Sequence, residues 1–100
     1  MRSDVNAQVA VREEILGQLR KVLIDRMRLR RAPAEIDPDA ALFGAGFGLD
    51  SLDAVELIVC LDTLFGVKLQ DQALLRQQMR SLNTIIDLIV AHRQGHVARG

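Results

Sequence analysis

Aliphatic residues recur at three- and four-residue spacing in several separate stretches of this chain, and no strand-length run alternates apolar with polar residues. That periodicity restricts the chain to helices, each burying one stripe against the others. Val5, Val9, Ile15, Leu16, Leu19, Val22, Leu23 and Met27 form the first stripe, behind a Ser3 or Asp4 able to cap its start. Pro33 and Pro38 remove backbone donors and disfavour helix in the residue before each, so the first helix is expected to end near Arg28 to Ala32. A second stripe, Leu57, Ile58, Leu61 and Phe65, is closed by Gly66 as a left-handed cap. Leu69, Ala73, Leu74 and Met79 fit a short helix among glutamines. Ser81 caps a last helix carrying Leu82, Ile85, Ile86, Ile89 and Val90, and Gly95 ends it. The expectation is an all-α fold, a small antiparallel four-helix bundle with a long loop from Pro33 to Asp50 between helices 1 and 2. A loop of that length in a small domain is usually functional.

One hundred residues, 49% apolar with only three aromatics, suit a single domain around one aliphatic core. We assign residues 1–94 to that domain and residues 95–100 to a mobile tail. The lone cysteine, Cys60, cannot close an internal disulfide, and without a basic neighbour it reads as a small buried filler. Met1 to Asp4 lacks an apolar signal core, and no apolar run approaches the roughly 18 residues of a membrane span. A cytoplasmic monomer without stable membrane insertion is expected.

Gly48-Leu49-Asp50-Ser51-Leu52-Asp53-Ala54-Val55-Glu56-Leu57 places one serine where a loop gives way to a helix. A hydroxyl in a first helical turn lies beside free N–H groups and the positive end of the dipole, a setting that favours a covalently held phosphate. Asp50 or Ser51 could also simply cap the helix. Upstream, Leu42 and Phe43 anchor a loop that reaches the serine through Gly44, Gly46 and Gly48. From about Ile15 to Ile89 this order of elements, with Asp50-Ser51-Leu52 at its centre and Phe65-Gly66 behind it, resembles the acyl and peptidyl carrier protein family. The resemblance implies that Ser51 is esterified by the phosphate of 4′-phosphopantetheine, delivered from coenzyme A by a phosphopantetheinyl transferase that docks partly on Asp50. It implies no catalysis by the chain itself. Acyl-loading, condensing or acyl-transferring enzymes would be its partners, and the arm's thiol would hold the cargo as a thioester. A stand-alone acyl carrier of fatty acid, polyketide or specialised lipid biosynthesis is the leading reading. A discrete peptidyl carrier, or an unmodified helical interaction module, is the alternative.

With 13 basic and 13 acidic residues the chain is neutral overall, but its charges are segregated. Asp50, Asp53, Glu56 and Asp62 carry the stretch after the loop without a Lys or Arg among them, while Arg26, Arg28, Arg30 and Arg31 cluster at the end of the first helix. By the resemblance, Asp53, Glu56 and Asp62 match acids that meet basic patches on partners, a complementarity that acts chiefly on encounter rate and selectivity. Thr63 and Leu64 stand where further acids are common in the family, which shifts weight to the outward apolar residues Leu52, Val55 and Val59 as partner contacts. A nucleic-acid role for the arginines is disfavoured by zero net charge and an acidic helix after the loop. His92 and His96 lack companions for a metal set, and Ser51 has no nearby base of the kind a hydrolase requires. Ile58, Leu61, Phe43 and Ile86 are candidates to line an acyl cavity, or plain core.

Overall fold

The computed structural model describes residues 2–69 and 77–93. Within them the architecture is all-α: α1 (Arg2–Asp25), a single 3₁₀ turn (Pro33–Glu35), α2 (Ser51–Phe65) and α3 (Leu82–Arg93). The short helix expected over Leu69 to Met79 falls mostly outside the described residues, as do the Gly95 stop and the tail.

The apolar stripes meet in one aliphatic core. Ile15, Leu19 and Leu23 from α1, Leu57 and Leu61 from α2, and Leu82, Ile85, Ile86 and Ile89 from α3 are all buried. Ile36, Leu42 and Leu49 join them from the connecting loop, so the loop is part of the core rather than a cover over it. Each such burial contributes roughly 1.5–3 kcal/mol, against about 0.2–1 kcal/mol for an exposed ion pair. The Arg12–Asp87 bridge between α1 and α3, 2.8 Å long and exposed on both sides, is therefore a minor contributor beside the core. Those two helices run antiparallel, since Ala7 and Val11 flank Val90 at one end of their seam and Leu16 flanks Asn83 and Ile86 further along. Val9, expected on the inward stripe of α1, is instead half-exposed, at 52%.

The first helix stops earlier than the prolines required. It ends at Asp25 because Arg28 takes a left-handed conformation (φ 56°), which lets the Leu29 N–H turn back to the Leu23 carbonyl at 3.0 Å. Gly66 ends α2 the same way, at φ 69°, with its N–H on the Asp62 carbonyl and the Val67 N–H on that of Leu61. In each case an apolar residue follows and packs inward, Leu29 partly and Val67 fully. Ser81 begins α3 as expected: its hydroxyl accepts the Thr84 N–H, and Thr84 Oγ1 accepts the Ser81 N–H.

Candidate functional site: the loop-to-helix junction at Ser51

The loop before Ser51 is pinned at three levels. Arg20 of α1 donates through Nε and Nη2 to the Ile36 carbonyl, at 3.2 and 2.8 Å. The Leu42 N–H donates to the Arg80 carbonyl and the Asn83 N–H to that of Pro38, so the loop is stitched to the start of α3. Within the loop the Leu49 N–H returns to Leu42 and the Phe47 N–H to Ala41, and Phe43 and Leu49 form an isolated parallel bridge. The glycines are structural in distinct ways: Gly44 and Gly48 adopt φ values of 68° and 76°, while Gly46 lies so close to the Ala41 carbonyl that no Cβ would fit. All three meet backbone requirements on the approach to the serine that a side chain would oppose.

The capping role weighed on sequence grounds falls to Asp50 and leaves the Ser51 hydroxyl out of it. Asp50 is the N-cap, in extended conformation, and Ser51 is the first residue of the helix, exposed to solvent. The Asp50 carboxylate accepts the Asp53 N–H at 3.0 Å, and the Asp53 carboxylate accepts the Asp50 N–H at 3.0 Å. The Asp53 N–H hydrogen bond holds the Asp50 carboxyl below its ordinary value of 3.8; desolvation is the next-largest effect and opposes it, and further hydrogen bonds add to the lowering. A phosphate on Ser51 would therefore find the Asp53 N–H already taken and a carboxylate on either side of it.

From this junction α2 presents two kinds of side chain. Leu52, Val55 and Val59 stand out to solvent at 78%, 59% and 52% exposure, on the side away from buried Leu57 and Leu61. The acids are less free than the sequence suggests. Asp53 is engaged in the cap, and Glu56 meets Arg26, from just beyond α1, at 3.3 Å. Asp62 is exposed and carries no ion pair among the described residues. Cys60 is buried at 3% exposure, with Sγ 4.0 Å from Glu56 Oε2; burial pushes its thiol up, Arg26 lowers it and Glu56 raises it. That environment matches a packing role for the cysteine. Leu61 is core and Ile58, Phe43 and Ile86 pack on or in it, with Ile86 also edging the α1–α3 seam. His96 lies outside the described residues, and among those described no cluster of His, Cys, Asp or Glu could hold a metal ion.

The exposed serine at the first position of a capped helix, reached through the glycine-bearing loop, lies within the segment that the sequence comparisons cover. The family described as "Phosphopantetheine attachment site" matches residues 17–89, which run from α1 through the serine junction into α3. An acyl carrier protein of Rubrobacter xylanophilus is 32% identical over 82 residues, covering 82% of this chain and 95% of the relative. The chain belongs to the acyl carrier protein family. A second acyl carrier protein, from Thermosynechococcus vestitus, is 30% identical over 76% of this chain and 88% of its own length. Acyl carrier protein 2, mitochondrial, of Arabidopsis thaliana is 34% identical over 62% of this chain and 47% of its own length. No solved structure is a significant match. The family's prosthetic group is 4′-phosphopantetheine, and its members carry cargo rather than transform it. The junction fits such a group: Ser51 is exposed, and so are Leu52, Val55 and Val59 further along the same helix. Among the described residues no helix is long and apolar enough to cross a membrane.

Proposed function

We propose that this chain carries acyl intermediates as thioesters on a 4′-phosphopantetheine arm esterified to Ser51, and presents them to partner enzymes of fatty acid, polyketide or specialised lipid biosynthesis. The observation that carries the reading is the exposure of Ser51 at the start of α2, next to an outward apolar stripe and within the segment the family match covers. Modification would be done to the protein by a phosphopantetheinyl transferase. The Ser51 hydroxyl gives up its proton and forms an ester bond to phosphorus, the pyrophosphate link of coenzyme A breaks, and adenosine bisphosphate leaves. When attached, the group supplies a terminal thiol that holds an acyl chain as a thioester. The chain's own part is to hold Ser51 still and accessible, through the Asp50–Asp53 cap and the loop stitched to α3. Leu52, Val55 and Val59, with Asp53, Glu56 and Asp62 around them, form the partner-binding face, and Asp50 belongs to the face met by the transferase.

Intact-mass measurement after incubation with coenzyme A, Mg²⁺ and a transferase of broad specificity tests this. One phosphopantetheinyl group should be gained by the native chain and none by Ser51→Ala, whose circular dichroism should be unchanged because the hydroxyl makes no buried contact. Mass gain persisting in Ser51→Ala would move the site elsewhere; no gain in the native chain would favour an unmodified interaction module. Subsequent loading tells acyl from aminoacyl cargo and so separates the acyl from the peptidyl carrier reading.

A further inference from the structure

Two of the three acids of α2, Asp53 and Glu56, are engaged within the molecule, and the partner of Glu56 lies just past the end of α1. Arg26 reaches Glu56 through Nη1 at 3.3 Å, with both side chains still substantially open to water, at 58% and 44%. Asp53 is tied to the Asp50 N–H. Apart from Asp62, which is exposed and unpaired among the described residues further along α2, what faces outward beyond Ser51 is the apolar row Leu52, Val55 and Val59. We propose that Arg26 is a specificity-determining residue: by pairing with Glu56 it mutes the charge of the partner-binding face, so that α2 addresses a partner with an apolar groove and no basic residue opposite Glu56.

This inference rests on the proposed carrier function and on its assignment of α2 to partner binding. The physical basis is competition. A partner that offers its own Lys or Arg to Glu56 must first displace Arg26, and it then places its cation beside the released guanidinium, a like-charge juxtaposition. A partner that reads the face through Leu52, Val55 and Val59 meets neither obstacle. Exposed ion pairs are weak, so the effect should be modest, about two- to fivefold in rate, and should fade as salt screens the surface. Arg26 belongs to no part of the attachment chemistry, and its backbone N–H bond to the Val22 carbonyl survives any change of side chain.

A phosphopantetheinyl transferase with a basic docking surface serves as the probe, and the initial rate of mass gain at Ser51 is read at about 0.01 M and about 0.15 M salt. Arg26→Gln should raise that rate two- to fivefold at low salt and less at high salt. In a Glu56→Gln background the same change should do nothing, and Arg26→Lys, which keeps a cation beside Glu56, should behave like the native chain. The proposal is overturned if Arg26→Gln leaves the rate unchanged, or if it raises the rate equally with and without Glu56; in the latter case Arg26 would act by direct repulsion of the partner. A native chain that gains no mass at all refutes the carrier function itself, and with it this inference.

Discussion

Two glycines in this chain should respond to the same substitution with opposite signs, and the structure sets the size of each response. Gly17 sits inside α1, exposed, with nothing within 4 Å of where a Cβ would stand. Alanine there loses less backbone freedom on folding, so Gly17→Ala should stabilise by roughly 0.5–1 kcal/mol, a rise in melting temperature of about 2–8 °C for a domain of this size. Gly46 has an ordinary φ but no room: an added Cβ would overlap the carbonyl oxygen and carbon of Ala41 and lie 2.9 Å from its Cβ. Backbone atoms cannot rotate out of the way. The loop must shift, at the expense of the Phe47 N–H bond to that same carbonyl, 3.0 Å long. Overpacking of this kind costs about 1–3 kcal/mol, so Gly46→Ala should melt at least about 4 °C lower. Because the displaced residues lead into Ser51, Gly46→Ala should also slow phosphopantetheinyl transfer, whereas Gly17→Ala should leave it alone. Thermal melts followed by circular dichroism, with initial rates of mass gain, decide both points. Equal signs for the two variants, or a Gly46→Ala protein indistinguishable from the native chain in melting and in transfer, would refute the argument that the glycine loop is held by close backbone approach.

Two further changes probe the helix caps. Ser81→Ala removes the acceptor for the Thr84 N–H at a buried position, and urea denaturation should show a loss of about 1 kcal/mol, with little effect on transfer to Ser51. Asp50, held below its ordinary value, supports the fold fully above pH 3.8 and loses that support as pH falls through its lowered native value. Asp50→Asn, which cannot titrate, should therefore flatten the acid limb of a stability–pH curve recorded by denaturant titration; an unaltered acid limb would mean that the cap does not couple charge to folding.

The parts of the fold that were legible in the sequence are those fixed by neighbours along the chain. Asp50 and Gly66 delimit α2, Ser81 opens α3, and the split of α2 into inward Leu57 and Leu61 and outward Leu52, Val55 and Val59 follows from helical spacing alone. The early end of α1 was hidden because the left-handed residue there is an arginine, and nothing in its identity announces a turn that prolines further on seemed to supply. The commitment of Glu56 was hidden for a related reason. Arg26 and Glu56 lie 30 residues apart, and only the packing of α1 beside α2 brings them together. That of Asp53 is legible, since a capping box pairs it with Asp50 three residues earlier. Ser51 stood out because the surrounding order of elements, not the serine itself, is distinctive.

The seam between the loop and α3 also bears on when the protein becomes competent. Leu42 and Pro38 find their hydrogen-bond partners at Arg80 and Asn83, some forty residues further along the chain. During synthesis, Ser51 leaves the ribosome well before those partners do, so the approach to it lacks this seam until α3 has emerged. A transferase that requires the finished loop would pass over a nascent or truncated chain, and coenzyme A would be committed only to carriers whose last helix is in place.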